Sequence, residues 1–324
     1  LGADLDGQGV GVSFAAQFKS GSWMAKTFHG GGAGAPTVMA KLPNEPYLFA
    51  AAADFKGVNI KAIADSVLAK LPKDKTGWVG RLIHETMPLM ANMKSMSEAF
   101  YVPSNPANLF AGFPGLAIVE TANADAYITS YKTQLAEMSK IKLDLGLDGQ
   151  SLTVTSKFTD NALTIDGVSV HQYQMKYNLP PAVLKELGPA GMFAGQLTNS
   201  AGYIANVNGN VLMTMTIDAG MMKKGIATIK AGNGLGSNGA MDAVRKKGLP
   251  KNLAAEGYVS VSGIMKTAGP VLQMFGGPAI GVPQNLPPIA FGSAVEDGGV
   301  VQRVYVPVKL IQWVKDTAMQ FMQG

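Results

Sequence analysis

The chain contains no cysteine. Thiol catalysis, thiolate zinc sites, disulfide cross-links and thiol redox switching are therefore excluded. Charge is scarce as well: Asp, Glu, Lys and Arg make up 15% of the 324 residues, against about 25% in an average soluble domain. Disorder of the charge-rich, apolar-poor kind is excluded with it. Arginine occurs only at Arg81, Arg245 and Arg303, and the lysines form no run longer than Lys223-Lys224 or Lys246-Lys247. Nucleic-acid readers depend on the planar arginine fork and on clustered positive charge. The surplus of 27 basic over 22 acidic residues thus reads as solubility, and no nucleic-acid partner is expected. A membrane-crossing helix is not expected either. The uncharged stretch Gly188 to Ile217 carries Asn199, Asn206, Asn208 and Asn210, and the one from Thr267 to Val295 carries Pro270, Pro278, Pro283, Pro287 and Pro288. Neither could span a bilayer with its backbone satisfied.

What the chain has is apolar material, 47% of its residues, and 39 glycines without a three-residue period. A sizeable core is possible and collagen is not. A strand–turn–strand unit recurs. Leu5-Asp6-Gly7-Gln8 precedes the alternating Val10 to Phe18, and Leu147-Asp148-Gly149-Gln150 precedes Leu152 to Phe158. Asp-Gly is expected to supply the positive-φ positions of a tight hairpin turn. Asp166-Gly167, Asn208-Gly209 and Asp297-Gly298 mark further hairpins, with arms Gly202–Asn206, Val211–Ile217, Ile289–Val295 and Val300–Val306.

Helical periodicity separates these strands. It predicts helices over Asn59–Leu71, Thr76–Phe100 (kinked or split at Pro88), Asn123–Lys140, Leu179–Leu187, Ala219–Ala231, Ser237–Lys247, Val261–Phe275 and Val308–Gln323. The order is strands, helices, strands, helix, then the same again. The expected fold class is α+β, with two related halves at residues 1–140 and 141–324. Each half would be an antiparallel, hairpin-rich sheet with helices packed on one face. A doubly wound parallel sheet would need regular alternation of single strands and helices, which is missing.

The candidate chemical constellations are each better explained by structure. Gly234-Leu235-Gly236-Ser237-Asn238-Gly239 fits the glycine pattern of dinucleotide sites, and Glu256 stands where a ribose-binding acid would. No strand–helix–strand unit surrounds it, so a loop with a helix cap is the simpler reading. His29-Gly30-Gly31-Gly32 is similar to an esterase oxyanion loop, but no nucleophile elbow exists to serve it. His29, His84 and His171 lack partners at ligand spacing, apart from His84 beside Glu85, and neighbours on a helix diverge. Asp54, Glu120, Asp125, Asp144, Asp148, Glu296 and Asp297 are the carboxylates available for acid–base work. Turn chemistry accounts for Asp148 and the pair Glu296-Asp297. Met87, Met90, Met93 and Met96 step by three, which suits a helix buried on more than one side, a greasy pocket, or a copper(I) site. The C-terminal helix carries Trp313, Phe321 and Met322, but too few cations to hold it on a membrane.

The runs Phe18–Lys26 and Ala40–Ala50, with its Leu42-Pro43-Asn44-Glu45-Pro46-Tyr47, resemble a pattern in uncharacterised, duplicated α+β exported bacterial proteins. Ile165–Tyr173 and Gly257-Tyr258-Val259 are similar to the same pattern. The resemblance implies an exported protein with no known activity to transfer. The chain starts at Leu1 without Met, with strand pattern at once, and a removed export signal is expected upstream. The sequence thus predicts a non-enzymatic, extracytoplasmic protein of the periplasm or cell surface. It would act through its surfaces as a structural or assembly subunit with other protein subunits, using no metal or cofactor and no catalytic residue. The alternative is a carrier or sensor of an apolar ligand such as a lipid, with Met90, Met93, Phe100 and Phe110 lining the cavity.

Overall fold

A computed structural model describes residues 1–30, 32–71, 77–104, 113–140, 142–147, 150–180, 199–274, 276, 280–283, 285–296 and 298–323. The strands in chain order are β1 Gly2–Asp6, β2 Gly9–Gln17, β3 Tyr47–Asp54, β4 Met93–Tyr101, β5 Gly115–Thr121, β6 Lys142–Leu147, β7 Gln150–Ile165, β8 Val168–Asn178, β9 Asn199–Val207, β10 Asn210–Thr214, β11 Ala255–Val259, β12 Ile289–Glu296 and β13 Gly299–Pro307. The helices are α1 Trp23–Thr27, α2 Ala35–Met39, α3 Ile60–Lys70, α4 Gly77–Ala91, α5 Ala124–Met138, α6 Ala219–Ala231, α7 Gly239–Gly248, α8 Val261–Met274 and α9 Val308–Gln323. The class is α+β with antiparallel pairing, as expected. The predicted helix Leu179–Leu187 lies largely outside the described residues.

The chain forms two compact units. Unit one takes Leu1–Asn59, Lys94–Pro106 and Ala231–Gly324; unit two takes Ile60–Met93 and Ala107–Lys230. The expected boundary between residues 140 and 141 falls inside unit two.

In unit one the strands run in the order β1-β2-β13-β12-β11-β3-β4. One face is built from small residues and tyrosines. Ala50, Ala99, Ala290 and Tyr258 are sealed from solvent, and Ala52, Tyr101 and Tyr305 nearly so. Small side chains let helices approach closely. Helix α2 packs on β3 and β11, and α7 packs on β12 and β13. Gly248, the last residue of α7, lies against the Tyr305 ring, where a methyl group would collide.

In unit two the order is β5-β10-β9-β8-β7-β6. Helices lie on both faces here, which corrects the expected one-sided packing. Tyr131 of α5 meets Tyr173 edge to face, with ring centres 5.5 Å apart. Gly225 of α6 sits against Leu116 and Leu212 on the opposite face. The cause is in β5: residues Gly115 to Val119 are apolar without alternation and are buried throughout, as a strand covered from both sides must be.

The predicted helix over Thr76–Phe100 is also corrected. Helix α4 stops at Ala91, and β4 begins at Met93. From Ser95 to Tyr101 the buried positions are Ser95, Ser97, Ala99 and Tyr101. That period of two belongs to a strand, and it is carried by small residues that a hydrophobicity count passes over. The turn chemistry splits as well. Asp166, Gly167, Asn208 and Gly209 all have positive φ, between 49° and 80°, as a two-residue hairpin turn requires. The Asp6-Gly7 turn instead closes through the Asp6 carboxylate, which accepts from the amides of Gln8 and Gly9, both at 2.8 Å.

Candidate functional site

The second face of the unit-one sheet differs from the first. Residues directly opposed across antiparallel strands share a face. One such row runs Ala3, Val12, Val304, Phe291, Gly257, Ala51, Glu98. A neighbouring row holds Phe14, Gln302, Ser293, Ala255, Ala53 and Met96. On the other side lie Leu5 with Val10, Val10 with Val306, then Ile289, Val259, Phe49 and Phe100. Phe49 and Phe291 stack with centroids 6.0 Å apart. Leu5 is 79% exposed, Phe14 51%, Val304 46% and Val12 45%, so the β1, β2, β13 end of this face is open apolar surface. Scattered exposed apolar residues are ordinary, but a contiguous set marks an interaction surface. Glu98 is the only ionisable residue in the three rows. Partial burial raises its carboxyl above the usual range. A shallow cleft of about 180 Å³ lies beside it, lined in part by Ala51, Phe55, Met96 and Phe291.

The helix-covered face carries the ionic anchor of unit one. Arg245 of α7 grips Glu256 of β11 with two parallel bonds, Nε to Oε2 at 2.6 Å and Nη2 to Oε1 at 3.0 Å. Tyr258 donates its hydroxyl to the same carboxylate at 2.7 Å. Burial first, then the neighbouring Glu256 charge, pushes the Tyr258 phenol far up, so it stays a donor. Glu256 is thus held by α7 and is no ribose ligand. At the sheet end Arg303 donates to Ser13 at 3.1 Å and to Asp4 at 2.7 Å.

The glycine pattern at 234–239 divides in two. Gly234 and Gly236 touch the backbone of Pro36, Ala40 and Leu42, where any Cβ would collide. Their function is close packing on α2. Gly239 opens α7, capped by Asn238, whose side chain accepts from Ala240 and Met241 at 3.1 and 3.2 Å. Gly239 lines a cleft of about 450 Å³ with the start of α8 and the Pro46-Tyr47 end of β3. Ser260 caps α8, accepting from the Gly263 amide at 3.0 Å. A further cleft of about 520 Å³ lies along α7, lined in part by Gln8, Val244, Tyr305 and Lys309.

The apolar residues predicted to line one cavity are not found together in any of these clefts. Met90 lies on α4, 40% exposed, and Met93 opens β4; both belong to unit two. Phe100 belongs to unit one, and Phe110 lies outside the described residues. The methionine run therefore passes from a helix to a strand and forms no single stripe. The rings of His84 and His171 are occupied locally, and His29 is held by its backbone. The amide of His29 bonds the Gly57 carbonyl, His84 Nε2 lies 2.6 Å from the Leu71 carbonyl, and His171 Nδ1 accepts from the Asn161 amide at 3.2 Å. Asp54 is buried and accepts from the amides of Gly34 and Lys56, which pins the chain at Gly34 to the end of β3. Asp125 accepts from Asn206. Among the described residues no three His, Asp or Glu side chains converge as a metal site would need.

No family model matches the chain, and neither a curated protein nor a solved structure does. No helix among the described residues is long and apolar enough to cross a membrane.

Proposed function

We propose that this is a non-enzymatic binding protein that assembles with a second copy of itself through the open face of the unit-one sheet. The observation that carries the reading is the contiguous exposure of Leu5, Val12, Phe14 and Val304 on adjacent strands. A face almost without charge meets its own copy without electrostatic penalty, although the chain as a whole carries +5. Seven strands at about 4.8 Å and five residues at about 3.3 Å give a flat footprint of roughly 500 Å². Side-chain relief raises that towards the ~800 Å² that each partner of a standard interface buries. Export to the periplasm or cell surface belongs to the same proposal and is supported by the missing cysteine. Leu5 and Leu147, which open the two L-D-G-Q tetrapeptides, lie on β1 and β6, the outermost strands of their units, which favours reading the two units as related. A lipid carrier is less well supported: the apolar cleft of about 180 Å³ is smaller than the ~300–1,000 Å³ of small-molecule pockets, and the clefts of about 450 and 520 Å³ carry Lys266, and Lys247 with Lys309, in their linings.

Sedimentation equilibrium tests the assembly. The expected result is a dimer whose dissociation constant rises by more than about tenfold when Phe14 and Val304 both become lysine, since two charges must then be desolvated. Both positions are exposed, so the monomer fold should survive. A wild-type chain that stays monomeric at its highest soluble concentration would sink the proposal.

A further inference from the structure

One carboxylate on the open face of unit one is answered by nothing in the fold. Glu98 stands half-buried at the β4 end of the row Phe291, Gly257, Ala51, Glu98. Among the described residues no hydrogen bond or ion pair reaches it. Lys94 shares its strand and its face but lies four residues away, about 13 Å at ~3.3 Å per residue. Glu256 also borders the cleft beside Glu98, but its carboxylate is turned to Arg245 on the helix-covered face. Burial without a neighbouring cation raises the Glu98 carboxyl above its usual range, and an opposite charge placed beside it would relieve that cost.

The surroundings of this carboxylate form a trough. Its floor is β3, where Ala51 and Ala53 put only methyl groups on this face. One wall is Glu98 with Met96 of β4, directly opposite Ala51 and Ala53. The other wall is the Phe291 ring. Phe291 lies opposite Gly257, and its ring fills the space where a Cβ of Gly257 would stand. Phe49 stacks on that ring with centroids 6.0 Å apart, which holds it in place. Gly257 neighbours Ala51, so two strand spacings of ~4.8 Å separate the backbone beneath the ring from that of Glu98. Phe55, just past the end of β3, adds a second ring to the lining. The cleft so formed holds about 180 Å³.

A cation lodged above Ala51 meets a carboxylate on one side and an aromatic ring on the other, and both attract an ammonium group away from water. A metal ion would find one carboxylate where calcium takes about six to eight oxygens. The apolar walls suit methylenes instead. The volume excludes a whole lipid but admits a chain end of about six heavy atoms, if each needs the ~30 Å³ of a water molecule.

We infer that this trough binds the primary ammonium end of a small alkyl amine, with Glu98 answering the charge and Phe291, Phe55 and Met96 enclosing the first carbons. The site does not depend on the proposed assembly.

Saturation-transfer NMR with n-butylammonium chloride, at constant ionic strength set by sodium chloride, tests this, with n-butanol as the uncharged equivalent. Both are titrated against the wild-type chain and against the chain carrying Phe14→Lys and Val304→Lys, so that closure of the face by assembly cannot hide the site. Val304 is three strand spacings from Ala51, about 14 Å, which exceeds the ~10 Å screening length at 0.1 M salt. Saturable binding of butylammonium is expected in at least one of the two chains. Glu98→Gln should weaken it by about tenfold or more, the loss of a bond between charged groups. Asp65→Asn, which removes an exposed carboxylate of α3, should leave it unchanged. n-Butanol should bind about tenfold more weakly than butylammonium for the same reason. Glu98 bonds nothing in the fold, so Glu98→Gln should keep or raise the melting temperature. Absence of saturable butylammonium binding in both chains overturns the inference, as does binding that Glu98→Gln leaves unchanged or that n-butanol matches. Sedimentation decides the assembly separately, so either reading can fail while the other stands.

Discussion

Glu256 has no solvent-exposed side-chain surface, and Arg245 keeps 12%. The guanidinium and the Tyr258 hydroxyl take the place of the water that burial removes from this carboxylate. The pair fixes where α7 sits on the sheet: a guanidinium fork accepts a carboxylate in few orientations, whereas the alanines beneath would tolerate many. Replacing Arg245 by Ala strands a buried charge. The expected loss is about 3–5 kcal/mol, the usual result of breaking a buried pair from one side. Replacing both partners by apolar residues, Arg245→Met with Glu256→Leu, should recover most of it, because no charge is then left without a partner. Urea unfolding of the two single variants and the double variant closes the cycle. A double-variant loss equal to the sum of the two single losses would mean that the pair does no coupling and that α7 is held by packing alone.

At the scale of elements, the readable parts were those whose pattern is local. Helix α9 was predicted over the same residues that it occupies, because its end follows directly on an alternating strand. Three strand-to-helix junctions announce themselves by a capping side chain: Asn123 accepts from Ala126, Asp218 from Met221 and Ser260 from Gly263, each at 3.0 Å. Strand β4 is hard to read from its sequence because its buried residues are serine and alanine up to Tyr101 while its methionines mimic a helical step. The Tyr47 cleft left no trace in the sequence, since it gathers residues near 45, 239 and 262. Tyr173 shows the same non-local logic. Its hydroxyl crosses Gly202 of β9, where a side chain would block it, and donates to the carbonyl of Thr214, the last residue of β10, at 2.8 Å. Burial pushes this phenol from 10.0 up to about 12. The native state thus keeps a proton that the unfolded chain gives up, and the stabilisation is complete below pH 10 and lost as pH rises towards 12. Denaturant unfolding should accordingly show stability falling over that interval. Tyr173→Phe should cost about 1 kcal/mol at neutral pH and make the alkaline fall shallower. An unaltered slope would place the alkaline sensitivity in the other buried tyrosines.

At the scale of the whole molecule, the two units differ in how far apart in the chain their partners lie. In unit two, β7, β8, β9 and β10 pair in chain order, so each contact closes a short loop. Unit one cannot be built that way. Its β2 pairs with β13, joining Val12 to Val304 and Ser13 to Arg303, and its β11 pairs with β3 across some two hundred residues. Loop-closure entropy must be met before such pairings return any stabilisation, and non-local sheets fold slowly for that reason. The sheet of unit one is also incomplete until the last strand has been made, which leaves its apolar face and the edge of β2 open during synthesis. Pulsed hydrogen exchange during refolding should therefore find amides of β8, β9 and β10 protected first. Those of β2, β12 and β13 should follow more slowly, together with the burial of Tyr305 against Gly248. Simultaneous protection of both sets would mean that a nucleus already spans the chain ends, and that contact separation does not set the order of assembly here.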